Sequence, residues 1–207
     1  MSIGSIGVKV GMTQIFDEKN VCIPVTLIKV GPCIVTQIKT VDKDGYNAVQ
    51  LGFGFDTDKP ANLPMKGHLA KSGITNCQHL REYYIEKPED FQTGQKFDIT
   101  NFQSGQYVSI KGKSIGKGFS GTVKRYKFGR GPMSHGSKNH RAPGSIGAGT
   151  TPGRVFPGKR MAGRLGGKPV TIKRLPILRI DTNENVLVVK GSVPGKTGNL
   201  LNLIPCL

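Results

Sequence analysis

The sequence predicts a mainly β protein, a small antiparallel barrel or sandwich that carries a small α+β insertion and a long basic loop. Two observations predict the body: apolar residues alternate with period two in short runs, and turn signals separate those runs every ten residues or so. A third sets the loop apart. The stretch from Lys111 to Arg174 holds sixteen Lys and Arg, fifteen Gly and five Pro, with no Asp or Glu and neither a helical nor a strand period.

In chain order, Val8-Lys9-Val10 and Thr13-Gln14-Ile15-Phe16 read as strand, followed by a turn at Asp17-Glu18-Lys19-Asn20. Val21 to Val30 alternates, with Val21, Ile23, Val25 and Leu27 on one face, until Gly31-Pro32 breaks it. Ile34 to Val41 resumes the strand, Asp42-Lys43-Asp44-Gly45 reads as a hairpin-type turn, and Asn47 to Phe53 as the next strand. These runs assign residues 1–55 to the first part of the body.

Residues 56–94 read as an inserted α+β lobe. Asp56 to Pro64 is a loop, Met65 to Lys71 a short helix, and Leu80 to Lys87 has mixed periodicity. Residues 95–115 return to the body through Phe97–Thr100 and Gln106–Lys111. The basic Gly-rich loop occupies 116–168. In the last part, 169–207, Val170 to Ile180 and Asn185 to Lys190 are strands joined by Asp181-Thr182-Asn183-Glu184, Gly191 to Gly198 is a Gly/Pro loop, and Leu200 to Ile204 a last short strand. Both ends of the chain thus close the body, and the basic stretch is an insertion in it.

At 207 residues the chain is long enough for one domain or two small ones with a sizeable core. Cys22, Cys33, Cys77 and Cys206 form no C-x-x-C pair and no dense framework, so they read as reduced thiols. Cys77-x-His79 has no second pair to complete a zinc site, and the sequence calls for no metal and no cofactor. No apolar run reaches the ~18–20 residues of a membrane span, and the first residues carry neither a basic n-region nor an Arg/Ser-rich leader.

Outside the basic stretch, fourteen basic residues face all thirteen acids, so sixteen units of the formal +17 lie within its 64 residues. Such a concentration calls for an anionic partner with many phosphates. A solvated face mixes signs, and this one does not. Loops beyond about 12–15 residues without structure of their own are usually functional or disordered. Folding against RNA offers one resolution: Lys and Arg neutralise phosphates, Gly lets the backbone approach, and Phe119, Tyr126, Phe128, His135 and His140 can stack on splayed bases.

Enzyme motifs in the stretch fail on their partners. Gly116-Lys117-Gly118-Phe119-Ser120-Gly121-Thr122-Val123 matches G-x-G-x-x-G-x-V, but no acid follows before Asp181 to bind a ribose or hold Mg²⁺. Ser114-x-x-Lys117 lacks the S-D-N and K-T-G companions, and no carboxylate lies near His135 or His140 to orient a triad. No catalytic residue and no small-molecule substrate are predicted.

Long runs of residues resemble a known family. Met-Ser-Ile-Gly…Gly-Val-Lys-Val-Gly-Met-Thr-Gln-Ile-Phe-Asp at 1–17 is similar to the opening of the large-subunit ribosomal protein L-three family. The runs at 116–125, at 134–147 (Ser-His-Gly-Ser-Lys-Asn-His-Arg-Ala-Pro-Gly-Ser-Ile-Gly), at 151–166 and at 187–195 resemble it too. The likeness covers the whole chain, and its Gly-Ala-Gly-Thr-Thr-Pro-Gly and Gly-Arg-Leu-Gly-Gly wording resembles the cyanobacterial and plastid branch.

The resemblance implies a bacterial-type, non-catalytic structural protein of the large ribosomal subunit. Its body would be a translation-protein-type β-barrel on the outer face of the subunit, with a loop extending toward the peptidyl-transferase centre. It would bind 23S rRNA near its 3′ end early in assembly, beside proteins of the L-fourteen and L-nineteen families. Carried over by motif, the loop runs from about Lys124 to Arg160 with its tip at Gly147, Ala148, Gly149 and Thr150. Some bacterial members have a methylated glutamine at the tip; Thr150 stands in its place, which implies that the modification is missing here.

Lys117, Lys124, Arg125, Lys127, Arg130, Lys138, Arg141, Arg154, Lys159, Arg160 and Arg164 are then the expected phosphate contacts, with Asn139, His135 and His140 adding hydrogen bonds or stacking. A transient RNA-binding assembly factor is the alternative. Lys outnumbers Arg 21 to 9, which points to an AT-rich genome such as a plastid's, so the expected location is a chloroplast ribosome, with the bacterial cytoplasm as the other option.

Overall fold

The structure, a computed structural model, describes residues 3–55 and 61–206. In chain order the described elements are β1 (Ser5–Phe16), β2 (Cys22–Val30), β3 (Cys33–Lys39), α1 (Val41–Asp44), β4 (Ala48–Phe53), α2 (Leu63–Ala70), β5 (His79–Tyr84), β6 (Lys96–Phe97) and β7 (Tyr107–Lys113). They continue with β8 (Phe119–Ser120), α3 (Thr122–Tyr126), β9 (Gly163–Arg164), β10 (Pro169–Asp181), β11 (Val186–Lys190) and β12 (Leu200–Pro205). The protein is therefore mainly β. Its chain divides into two compact units, Met1–Lys113 with Pro169–Leu207, and Ser114–Lys168.

In the first unit six strands close a barrel in the order β1-β12-β7-β10-β11-β2. Every neighbouring pair is antiparallel, and β12 is wedged between β1 and β7, so the two ends of the chain do meet in one sheet. Closure leaves no edge among these strands to template aggregation. The alternation that the sequence displays is what fills the interior. In β7, Val108, Ile110 and Gly112 point inward and Tyr107, Lys111 and Lys113 outward. Val108, Ile110, Ile177, Leu187, Val189, Leu201 and Leu203 meet there with Ile28 and Val30, all at 1% exposure or less.

A four-stranded sheet, ordered β5-β4-β3-β6, is the second element of this unit. Here the structure corrects the sequence reading, which assigns residues 1–55 to the barrel. β3 and β4 pair with each other, and with β6 and β5, rather than with any barrel strand. The physical reason is burial on both faces: in β4, Ala48, Val49, Leu51 and Gly52 are all buried. Gly31 turns the chain out of β2 at φ +63°, a conformation that favours glycine. The second core packs Ile6 of β1 against Cys33, Val35, Val49, Leu51 and Tyr83.

Gly4 is required by that packing, since a Cβ there would lie 2.8 Å from the Leu203 carbonyl oxygen and run into the Tyr83 ring. The Tyr83 hydroxyl donates to the Ser5 carbonyl at 3.0 Å, and burial pushes its pKa above the usual phenol value.

Three local readings also change. Asp42–Gly45 is not a hairpin turn: Val41–Asp44 is one helical turn, closed by Gly45 at φ +83° with its N–H on the Val41 carbonyl. Leu80–Lys87 is mostly strand, because β5 pairs with β4 over six residues, from Ala48↔Tyr84 to Phe53↔His79. Lys96–Phe97 belongs to the second sheet, so only the later part of 95–115 is barrel. The expected helix at 65–71 is present as α2. The loop reading for Asp56 to Pro64 falls partly on residues 56–60, which lie outside the described residues. Among the described residues, no helix is long and apolar enough to cross a membrane.

The described cysteines are all free. Cys33 is fully buried, and burial pushes its thiol up to about 11; Cys77, also buried, is raised for the same reason. Cys77 Sγ donates to the His79 carbonyl at 3.8 Å. Cys22 is exposed, with its Sγ donating to Gln14 Oε1 at 3.3 Å. A thiol reagent at pH 8 is therefore expected to label Cys22 in the native protein, and Cys33 only after denaturation. Equal labelling of Cys33 without denaturant, read by peptide mass spectrometry, would contradict this packing.

Candidate nucleic-acid interface

The second unit, Ser114–Lys168, has almost no core of its own. Ser120 and Thr122 are its only buried residues, and every residue from 141 to 162 is exposed. What holds it is backbone pairing at its base. β8 and β9 pair through Phe119↔Arg164 and Ser120↔Gly163. Around them, Ser114 N–H donates to Lys168 O at 2.9 Å, Lys117 N–H to Leu165 O at 2.9 Å, Leu165 N–H to Gly118 O at 2.9 Å and Gly167 N–H to Ser114 O at 3.1 Å. Gly166 sits at φ +70°, and a Cβ there would collide with the Ile115 carbonyl, so this neck accepts only glycine.

Beyond the neck, the G-x-G-x-x-G-x-V run supplies β8 and the start of the five-residue α3, which Lys127 ends at φ +59°. The two arms of the loop are fastened by arginines. Arg125 Nη1 donates to the Met161 carbonyl at 2.7 Å, and the guanidinium groups of Arg125 and Arg160 lie 5.0 and 5.7 Å from the Tyr126 ring centroid. Phe128 packs at 6.1 Å from the same ring. Cation–π contacts of this kind are worth roughly 0.5–1 kcal/mol each at exposed sites. Farther out, Gly131 N–H donates to His140 O at 3.1 Å, and His140 Nδ1 lies 2.9 Å from Pro132 O. Over residues 141–153 the pairing thins to Gly153 N–H on Gly149 O and Ser145 Oγ on Gly147 O.

The sequence-predicted residues fall as follows. Lys117, Lys124, Lys127, Arg130, His135, Lys138, Asn139, Arg141, Arg154, Lys159, Arg160 and Arg164 are exposed; Arg125 and His140 are half-buried. Gly147, Ala148, Gly149 and Thr150 are exposed. No acid lies between Asp98 and Asp181, so the unit's twelve Lys and Arg have no carboxylate of their own to pair with. The described ion pair elsewhere, Lys39 to Glu82 at 2.9 Å, shows the ordinary alternative: the Lys39 ammonium first, then the hydroxyl of Tyr46, holds the Glu82 carboxyl below its usual range.

Two features escape sequence reasoning. Arg154 lies 5.6 Å from the ring centroid of Phe156, itself 59% exposed, and the Arg125–Tyr126–Arg160 stack joins residues 35 apart. The adjacency of Arg154 and Phe156 is a signal for the first; no spacing rule announces the second. The chemistry on offer is multivalent anion binding with stackable rings, and nothing in this unit presents a nucleophile with an oriented base.

A sequence model of the family described as Ribosomal protein L3 matches residues 85–187. The chain is 60% identical over 205 residues to the large ribosomal subunit protein uL3 of Prochlorococcus marinus (strain NATL2A), covering 99% of this chain and 94% of the relative. It is 58% identical to the proteins of that name from Trichormus variabilis and Nostoc punctiforme, again over 99% of this chain and 97% and 98% of theirs. The chain belongs to the ribosomal protein L3 family. The L3 family is one of ribosomal proteins, not enzymes. The family match at 85–187 spans all of Ser114–Lys168 together with β7 and β10, which flank it.

Proposed function

We propose that the chain is a structural constituent of the large ribosomal subunit that binds 23S rRNA directly, near its 3′ end, through Ser114–Lys168. The carrying observation is twelve basic residues in a unit with no acid and almost no core, a surface that repels itself until phosphates neutralise it. The eleven predicted Lys and Arg, from Lys117 to Arg164, meet phosphates and set register, while His135, Asn139, His140 and exposed Phe156 meet bases or sugars. The tip, Gly147–Thr150, reaches toward the peptidyl-transferase centre, where its lack of bulky side chains suits close approach of rRNA. The chain helps nucleate subunit assembly and sits beside L-fourteen and L-nineteen relatives. The cyanobacterial relatives agree with a chloroplast or a bacterial ribosome as its location.

The test is the salt dependence of binding to 23S rRNA transcribed in vitro. About eight phosphate contacts give a slope of log K on log salt near −6, and a slope near zero would mean that the cations are not at the interface. A transient assembly factor would leave mature subunits in a high-salt wash, whereas a structural constituent remains.

A further inference from the structure

We propose that the outer wall of the barrel, formed by β7 and its neighbour β10, is a second RNA-binding surface that grips phosphates separately from the Ser114–Lys168 loop. The proposal rests on the RNA-binding reading above and adds a site to it.

β7 alternates cleanly: Val108, Ile110 and Gly112 fill the barrel, so Tyr107, Lys111 and Lys113 stand outward on one face. Alternate residues on a strand lie about 6.7 Å apart, which sets Lys111 and Lys113 as a short row of cations along the wall. On the next strand the register slips between Ile172 and Leu175, leaving Lys173 and Arg174 without partners on β7. That bulge is held in an unusual way. Arg174 adopts φ +56°, a backbone conformation costly for any side chain other than Gly, Asn or Asp. Its guanidinium lies 5.6 Å from the ring centroid of Tyr107, which stays 47% exposed.

A bulge that re-aims an arginine onto an exposed ring, on the strand next to the Lys111–Lys113 row, is a recognition device rather than a packing one, since none of these side chains contributes to the core. The surface is also free of opposing charge. No acid occurs in β7, in β12, or in β10 before its last residue, Asp181. An unpaired row of cations beside a cation-capped aromatic ring suits a phosphate backbone with a base or ribose laid on the ring. A carboxylate-rich protein would use the charges but leave Tyr107 unexplained.

The experiment uses the full chain and 23S rRNA transcribed in vitro. The variant K111Q/K113Q/R174Q removes three wall cations, and K43Q/K66Q/K71Q removes three exposed cations from the α1 and α2 region as a control for net charge. The wall variant is expected to lower the magnitude of the salt slope by about 2 and the control to leave it unchanged. Equal changes in both would reduce the effect to net charge and overturn the proposal.

Photocrosslinking decides independently of these variants. With p-benzoylphenylalanine in place of Tyr107, the wall should crosslink to RNA; with the same group in place of Phe156, the loop should. RNA crosslinks from 156 but not from 107 overturn the second surface and leave the proposed function standing. A crosslink from 107 to another ribosomal protein in reconstituted subunits overturns it in favour of a protein partner. Crosslinks from neither position overturn both readings.

Discussion

Replacing Arg141, Arg154 and Lys159 together by glutamate is expected to weaken binding to 23S rRNA by about 100-fold or more at 0.1 M salt, with the fold untouched. All three side chains are exposed in a run where every residue from 141 to 162 is exposed. Each lost phosphate contact removes a counterion-release contribution of roughly 0.7–0.9 powers of ten at that salt, and reversal adds repulsion. Exposed positions away from caps and cores seldom change stability by more than about 0.5 kcal/mol, so the unfolding midpoint should stay where it is. Unchanged affinity, measured by filter binding beside the parent protein, would remove the loop from the interface. The single change Arg160→Glu is more complex. Arg160 also stacks on Tyr126, so some of its effect would come from loosening the loop's arms.

The opposite separation is expected from Leu203→Ala. Leu203 is fully buried, pairs across β12 with Ser5 on one side and Ile110 on the other, and belongs to the interior cluster of the barrel. Truncating such a side chain costs about 2–5 kcal/mol through lost burial and the cavity left behind. For a chain of this size that lowers the thermal midpoint by roughly 5–15 °C. Binding to rRNA, measured well below that midpoint, should change little, because no phosphate contact is touched. A midpoint shift below about 2 °C in calorimetry would mean that the barrel interior is not packed as described.

The outlines of this fold were legible because alternation is a local signal. The strand at 106–111 is legible from the pattern, although β7 runs on to Lys113, as is the return of the C-terminal strand at 200–204. Alternation reports which face is buried, however, and not against what. β3 and β4 therefore read as more barrel, when their buried faces belong to a second sheet packed on Ile6. Asp42–Gly45 reads as a hairpin-type turn for a related reason: an Asp-rich run ending in Gly suits that turn, and the same residues also suit the single capped helical turn that forms.

In the loop, composition carried the reading. Sixteen cations without an acid are visible from Lys111 to Arg174 by composition alone, and the structure leaves nearly all of those in Ser114–Lys168 exposed. Invisible were the contacts that depend on the return path of the chain. The Arg125 bond to Met161 and the shared Tyr126 ring fasten two arms whose spacing no periodicity encodes. Likewise, nothing in Thr-Ile-Lys-Arg-Leu announces that Arg174 sits at positive φ in a bulge. Such positions combine local cost with exposed chemistry, and they are where local rules read least.

Hydrogen exchange across residues 111–174, on the free chain and on its complex with 23S rRNA, tests the central claim most directly. The neck amides of Lys117, Leu165 and Gly167 should exchange slowly in both states, because they are hydrogen-bonded within the chain. Amides from 141 to 158, which make few such bonds and belong to exposed residues, should exchange fast in the free chain and become strongly protected on rRNA. Slow exchange from 141 to 158 in the free chain, or fast exchange there in the complex, would contradict a loop that finds its partner in RNA.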